Sequence, residues 1–257
     1  MGKVVSLIIA FMSISAINMH AETIAVCNSC EIASIKEAIA VAKDFDTIRI
    51  QKGTYKEFGI NIDKPLAIIG ENYPVIDGEE QGEIMTITSD SVSVDGLLLK
   101  NVGNSYTEDF AAVRVRKSNY FEIKNLVVQN LFFGIYIEKS NFGKILNNKL
   151  MGEAVEEYNS GNGIQLWYSH DVDIENNHIQ GMRDGIYFEF ADNSIIKNNT
   201  STRNLRYGLH FMFSNNDVYE GNTFKENGAG VAVMFSKHIT MVKNKFLNNW
   251  GSASYGL

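Results

Sequence analysis

Proline is almost absent from this chain: two residues in 257, Pro65 and Pro74. Rigid bends therefore do not shape it, and its corners fall to residues that accept positive φ, the asparagines and glycines that crowd between short apolar runs. Cysteine is as scarce, with Cys27 and Cys30 alone. Their Cys-Asn-Ser-Cys spacing admits a small disulfide first and metal capture second, and no strand-helix context supports a thiol-exchange role. Positive charge is in deficit, 23 Lys and Arg against 30 Asp and Glu, for a net charge of −7. A polyanion finds little to hold, so nucleic acid is not an expected partner. No Gly-x-x-x-x-Gly-Lys-Ser/Thr loop is present, so ATP hydrolysis is not expected in this chain. The longest apolar run, Val4 to Ile17, is too short for a membrane span and is followed by Asn18 and His20.

What that run does fit is export. Met1 to roughly Ala21 carries Lys3, the apolar stretch and then small and polar residues, the pattern of a signal peptide, although Met19 is a poor match to the small residue usual at the −3 position. The expected organisation is a signal peptide over 1–21 and one elongated domain over 22–257. Within that domain 22–60 form an N-terminal cap and first strand, and 61–257 form the coils.

The dominant feature is a repeat. Gly134-Ile135-Tyr136-Ile137-Glu138, Gly163-Ile164-Gln165-Leu166-Trp167, Gly185-Ile186-Tyr187-Phe188-Glu189, Gly208-Leu209-His210-Phe211-Met212 and Gly230-Val231-Ala232-Val233-Met234 align without gaps, mostly at steps of 22 or 23 residues. A period of this size with short alternating strands reads as a solenoid, and the fold class predicted is all-β, a right-handed parallel β-helix. Ser34 to Ala42 has helical periodicity, with Ser34 as N-cap and Glu37 three residues on, and predicts a short capping helix over the first coil. Strands are predicted at Leu66 to Ile69, Ile84 to Thr88, Val92 to Val94 and Leu97 to Leu99. Asn125, Asn148, Asn177, Asn199, Asn222 and Asn244 are read as one turn position, a structural ladder bonded from coil to coil. Two longer coils place insertions at about 103–110 and 152–162, expected at the same corner of the solenoid. The chain stops at Leu257 where a further coil would begin, so C-terminal coils are read as missing.

Strand parity sorts the side chains. Ile164, Leu166, Ile186, Phe188, Phe190, Leu209, Phe211, Phe213, Val231, Val233 and Phe235 are expected inside, leaving two outward columns. The first is Arg114, Tyr136, Gln165, Tyr187, His210 and Ala232; the second is Arg116, Glu138, Trp167, Glu189, Met212 and Met234. Successive coils lie about 4.8 Å apart, so Met212 and Met234 should stack beside His210. Two thioethers and an imidazole suit a soft metal, with Cu(I) the natural candidate, although methionines on a strand also serve as packing. His170, His178 and His238 read as solvated or hydrogen-bonded turn histidines rather than ligands. The same outward columns offer another reading, a sugar-stacking strip of Trp167, Tyr136 and Tyr187 with Glu138 and Glu189, as in a carbohydrate-binding or carbohydrate-cleaving β-helix. No pair of carboxylates is singled out for acid/base hydrolysis, and the chain is expected not to be an enzyme.

The cap segment Ile35 to Tyr55, the stretch Ile68-Ile69-Gly70-Glu71-Asn72-Tyr73-Pro74-Val75-Ile76-Asp77-Gly78 and above all Arg206-Tyr207-Gly208-Leu209-His210-Phe211-Met212-Phe213-Ser214-Asn215 resemble the NosD family. The resemblance implies a non-enzymatic periplasmic accessory protein for nitrous oxide reductase maturation. It implies handling of copper, as transient Cu(I), together with an ABC-type ATPase, a membrane permease and a periplasmic copper carrier. His210 and Met212 fall in the matching segment; Met234 joins them through the repeat.

Overall fold

Every third strand of this chain joins the same sheet. A computed structural model describes residues 21–251, and in it three parallel sheets of ten, eight and nine strands run the length of the molecule, each strand bonded to its equivalents one coil before and one coil after. This is the predicted parallel β-helix, a three-walled prism with one short helix at its N-terminal end. The expected export segment, 1–21, lies outside the described residues but for Ala21, as do residues 252–257 at the other end.

The helix spans Ile35–Val41, with Ser34 as N-cap accepting a hydrogen bond from the Glu37 amide at 3.4 Å. A stronger anchor comes from the next coil, where the Glu57 carboxylate accepts from the amides of Ile35 and Lys36 at 2.8 and 3.1 Å. At the other end Lys64 Nζ donates to the carbonyls of Ile39 and Ala42 at 2.8 and 2.7 Å. Acid at the N-terminus and base at the C-terminus satisfy the orphan groups of a helix too short to hold itself. Its buried face, Ile35, Ala38 and Ile39, closes the end of the core. Beside it Thr23–Val26, a strand that the sequence pattern did not reveal, pairs in parallel with Thr47–Ile50, and Cys27 is disulfide-bonded to Cys30. The other early strands, Ala67–Gly70, Met85–Ile87, Ser93–Asp95 and Leu98–Lys100, fall within a residue or two of expectation.

Period-two alternation puts Ile164, Leu166, Ile186, Phe188, Leu209, Phe211 and Val231 into the core. The repeated glycine has a steric reason: a Cβ on Gly208 would lie 2.7 Å from the carbonyl oxygen of Gly230 and 2.7 Å from Phe224 Cδ1. Val233 keeps the inward register opposite Phe211 but is partly exposed in the last described coil of its sheet.

Phe190, Phe213 and Phe235 do not enter the core. Each has a φ of 51°, as Tyr168 has 48°, and the left-handed turn swings the ring outward. Out there the four rings form a ladder, with centroids 4.6, 5.1 and 4.9 Å apart and planes within 16° of parallel. The alternation rule holds only while the backbone is extended, and it ends one residue before these positions.

The asparagine column is also shifted at its first member. Asn125 pairs with Asn147, and both are left-handed corner residues; Leu126 occupies the ladder position beside Asn148. From there the ladder is continuous through Asn148, Asn177, Asn199, Asn222 and Asn244. Asn148 Oδ1 accepts from the Leu126 amide alone. From Asn177 on, each side-chain oxygen accepts from the backbone amide and the side-chain amide of the asparagine one coil earlier, as Asn199 Oδ1 does from Asn177 at 2.9 and 3.0 Å. The second amide hydrogen goes to a core carbonyl, that of Ile174 for Asn199 at 2.8 Å. Every polar atom of a buried amide is thereby satisfied. A second column, Asn204, Asn227 and Asn249, repeats the device at the next corner.

Asp217 sits fully buried in a comparable corner, where Oδ1 accepts from the Ser194 amide at 2.8 Å and Oδ2 has no partner. Burial, helped by the charge of Asp192, raises its carboxyl from 3.8 to about 8, with the Ser194 amide opposing.

Two stability measurements follow. Replacing Asn199 by Ala strands the donors of Asn177 and should cost about 3 kcal/mol in urea unfolding; a loss under about 1 kcal/mol would deny the ladder its role. For Asp217, the unfolded carboxyl ionises near its ordinary value while the folded one stays protonated to about pH 8. Its contribution is intact at low pH and is lost as pH rises through that window. The advantage of Asp217→Asn over the parent chain should therefore grow by about 3 kcal/mol from about pH 5 to about pH 8; a pH-independent difference would refute the assignment.

Candidate functional site

His210 and Met212 lie on the strand Tyr207–Met212, two residues apart and on its outward side, and Met234 ends the strand Ala229–Met234 directly opposite Met212. The repeat arithmetic is thus realised: the three side chains start from one wall of the prism, on adjacent coils. On the other side Met212 faces Glu189, and His210 faces Tyr187.

Outward does not mean exposed. Arg114, Tyr136, Gln165 and His210 are all buried, His210 to 2% exposure, while Tyr187, Ala232, Met212 and Met234 are half-buried. The insertions, 101–110 and 152–163, both lead into this wall, as expected, and contact Arg114, Gln165 and Asp184, while His210 is enclosed by Asp184, Tyr187 and Tyr207. From the first, the Asp109 carbonyl accepts from Arg114, whose Nε also donates to Glu83 at 2.6 Å. From the second, Asn162 Nδ2 donates to Gln165 Oε1 at 2.7 Å, and Asn162 Oδ1 accepts from the Asp184 amide at 3.2 Å.

The same covering closes the proposed sugar strip. The Arg114 guanidinium lies 4.4 Å from the centre of the Tyr136 ring, and Lys139 Nζ lies 4.8 Å from that of Trp167. Glu138 is paired with Arg116 at 3.0 Å and with Arg114 at 3.7 Å. Tyr187 keeps its proton to about 12, because burial and the neighbouring Glu189 both oppose ionisation. These groups are spent on one another rather than held open to a polysaccharide.

Around His210 the structure assembles residues that the sequence pattern did not group into its candidate metal set. Asp184 Oδ2 is 3.3 Å from His210 Nδ1, and Asp184 Oδ1 lies 3.3 Å from both Arg206 Nε and the Tyr207 amide. Asp184 is fully buried. The rings of Tyr187 and Tyr207 pack at 4.9 and 4.8 Å from the imidazole. His210 Nε2 is buried and has no hydrogen-bond partner. The same column arithmetic could have found this cluster, because Asp184 and Tyr207 each immediately precede the repeated glycine of their coil.

An orphaned imidazole nitrogen fits a metal ligand, since burying it unpaired costs about 1–3 kcal/mol that coordination would relieve. Among the described residues no three His, Cys, Asp or Glu side chains come together as a metal cage. The three candidate side chains are of another kind, one imidazole with two thioethers, donor types that suit a soft ion. His170 lies 2.6 Å from Asp171 and against Phe142, and His178 lies 3.4 Å from Gln180. Met182 is in the core.

Comparison with known proteins separates family from fold. The family model described as "Periplasmic copper-binding protein (NosD)" matches residues 146–257, a stretch containing His210, Met212 and Met234. A "Probable ABC transporter binding protein NosD" of Pseudomonas aeruginosa is 32% identical over 126 residues, 48% of this chain and 29% of the relative. The matched stretch therefore spans less than a third of that relative's length. Among solved structures, a polygalacturonase from Erwinia carotovora ssp. carotovora superposes with a TM-score of 0.69 at 10% identity, covering 87% of this chain and 77% of that one. PfbA, a surface adhesin of Streptococcus pneumoniae, gives 0.67 at 14% identity, with 82% and 75% covered. An enzyme and an adhesin on one scaffold mark the β-helix as shared and leave the chemistry to the site.

Proposed function

We propose that this chain, whose residues 146–257 belong to the NosD family, is a periplasmic accessory protein that carries Cu(I) as cargo for the metal centres of nitrous oxide reductase and has no catalytic chemistry of its own. His210, Met212 and Met234 are the holding set. The observation that carries this reading is the partnerless Nε2 of buried His210, set on the same wall as the paired methionines. Thioethers select a soft cuprous ion, and a site of so few neutral donors releases it more readily than a thiolate cage would.

The family's description as a periplasmic copper-binding protein supports copper as the ion, and the matched residues include all three ligands. The name of the Pseudomonas relative supports association with an ABC transporter. In the proposed pathway a periplasmic copper carrier loads the chain, which works with an ABC-type ATPase and a membrane permease, and nitrous oxide reductase receives the metal. Export would follow from the segment 1–21. Among the described residues no helix is long and apolar enough to cross a membrane.

Competition for Cu(I) against a chromophoric chelator, with the Cys27–Cys30 disulfide kept oxidised, tests the assignment. The triple variant His210→Ala/Met212→Leu/Met234→Leu should bind at least about 100-fold more weakly than the parent chain, the loss of several ligand contacts. Equal affinities would refute it.

A further inference from the structure

We infer that Asp184 is a positioning residue for this copper site: its carboxylate holds His210 in the tautomer with the proton on Nδ1 and leaves the Nε2 lone pair for the metal. The inference rests on the Cu(I) reading of His210 and adds to it a residue on a different coil.

The geometry fixes the proton by elimination. Asp184 Oδ2 lies 3.3 Å from Nδ1, and Oδ1 lies 3.3 Å from both Arg206 Nε and the Tyr207 amide. A fully buried carboxylate surrounded by a guanidinium, an amide and an imidazole is an acceptor on both oxygens. With the proton on Nδ1 the imidazole donates to Oδ2. With the proton on Nε2 a nitrogen lone pair would face a carboxylate oxygen, and the Nε2–H would point at nothing, because no acceptor reaches it. Arg206 Nη2 also lies 3.4 Å from Nδ1, but it could donate there only with the imidazole proton on Nε2, which would leave that buried N–H without an acceptor. The positive charge of Arg206 pairs with the carboxylate of Asp184 at 3.3 Å. The Tyr187 and Tyr207 rings pack against the imidazole and limit its rotation. A histidine whose far nitrogen donates to a carboxylate is oriented and made more basic at the near one, which is how carboxylates support metal-bound imidazoles.

Asp184 is also tied to the second insertion, through its own amide and Asn162 Oδ1 at 3.2 Å. The second insertion is thus linked to the residue that orients the imidazole.

Nitrogen-15 NMR of the full chain, with His210 assigned by comparison with His210→Ala, reads the tautomer directly; Cu(I) affinity is measured in parallel on the parent and on Asp184→Asn. The parent should show a protonated Nδ1 and a bare Nε2, with the Nε2 resonance moving on Cu(I) addition. Asp184→Asn should lose that tautomer preference and bind Cu(I) about 10- to 100-fold more weakly with an unchanged β-sheet circular dichroism spectrum. A parent chain with the proton on Nε2 overturns the inference, and does so whether or not the variant folds. So does an Asp184→Asn variant that binds as tightly as the parent while His210→Ala binds weakly, and in that outcome the copper reading stands. If His210→Ala binds as tightly as the parent, the copper reading itself fails and the inference with it.

Discussion

The column of buried asparagines from Asn148 to Asn244 holds each coil in register on the next, and everything else in the molecule presupposes that register. Each amide in its middle spends both hydrogens and both acceptor sites inside the stack, so a slip of one residue would orphan several buried polar groups at once. Because equivalent positions stack about 4.8 Å apart, residues roughly two dozen positions apart in sequence become neighbours. Glycines meet backbone carbonyls, aromatic rings meet rings, and Met212 meets Met234.

That register made much of the fold legible from sequence. The gap-free glycine-led repeat gave the parallel β-helix, the inward strand positions Ile164, Leu166, Ile186, Phe188, Leu209 and Phe211 and the shared corner of the two insertions. The helical periodicity from Ser34 to Ala42 gave the capping helix. Phe190, Phe213 and Phe235 were misread because their φ turns positive just where alternation was extended by one more residue. Asn125 was misread because in three coils the corner contains two adjacent asparagines, one left-handed and one buried, and identity alone does not say which of the two positions a lone asparagine fills. The expected columns were right in direction and wrong in exposure: parity reports which side of a strand a residue leaves from, and says nothing of a loop folded over it.

The candidate site shows the same division. His210, Met212 and Met234 share a wall because the repeat demands it. Tyr187 is the rung beside His210 in the same column, whereas Asp184, Arg206 and Tyr207 are decided by packing at the strand entrance. The burial of His210 follows from those neighbours, and burial is what turns an ordinary surface imidazole into one with an unsatisfied nitrogen. The fold contributes rigidity and stacking; the identity of the ligand set comes from which residues happen to occupy equivalent rungs.

X-ray absorption at the copper edge of the Cu(I)-loaded full chain, with Cys27 and Cys30 kept disulfide-bonded, tests that claim most directly. Sulfur and nitrogen together in the first coordination sphere, with the sulfur lost in Met212→Leu/Met234→Leu, is the result expected if stacked rungs build the site. A sphere of nitrogen and oxygen alone, or sulfur that survives the double substitution, would contradict it.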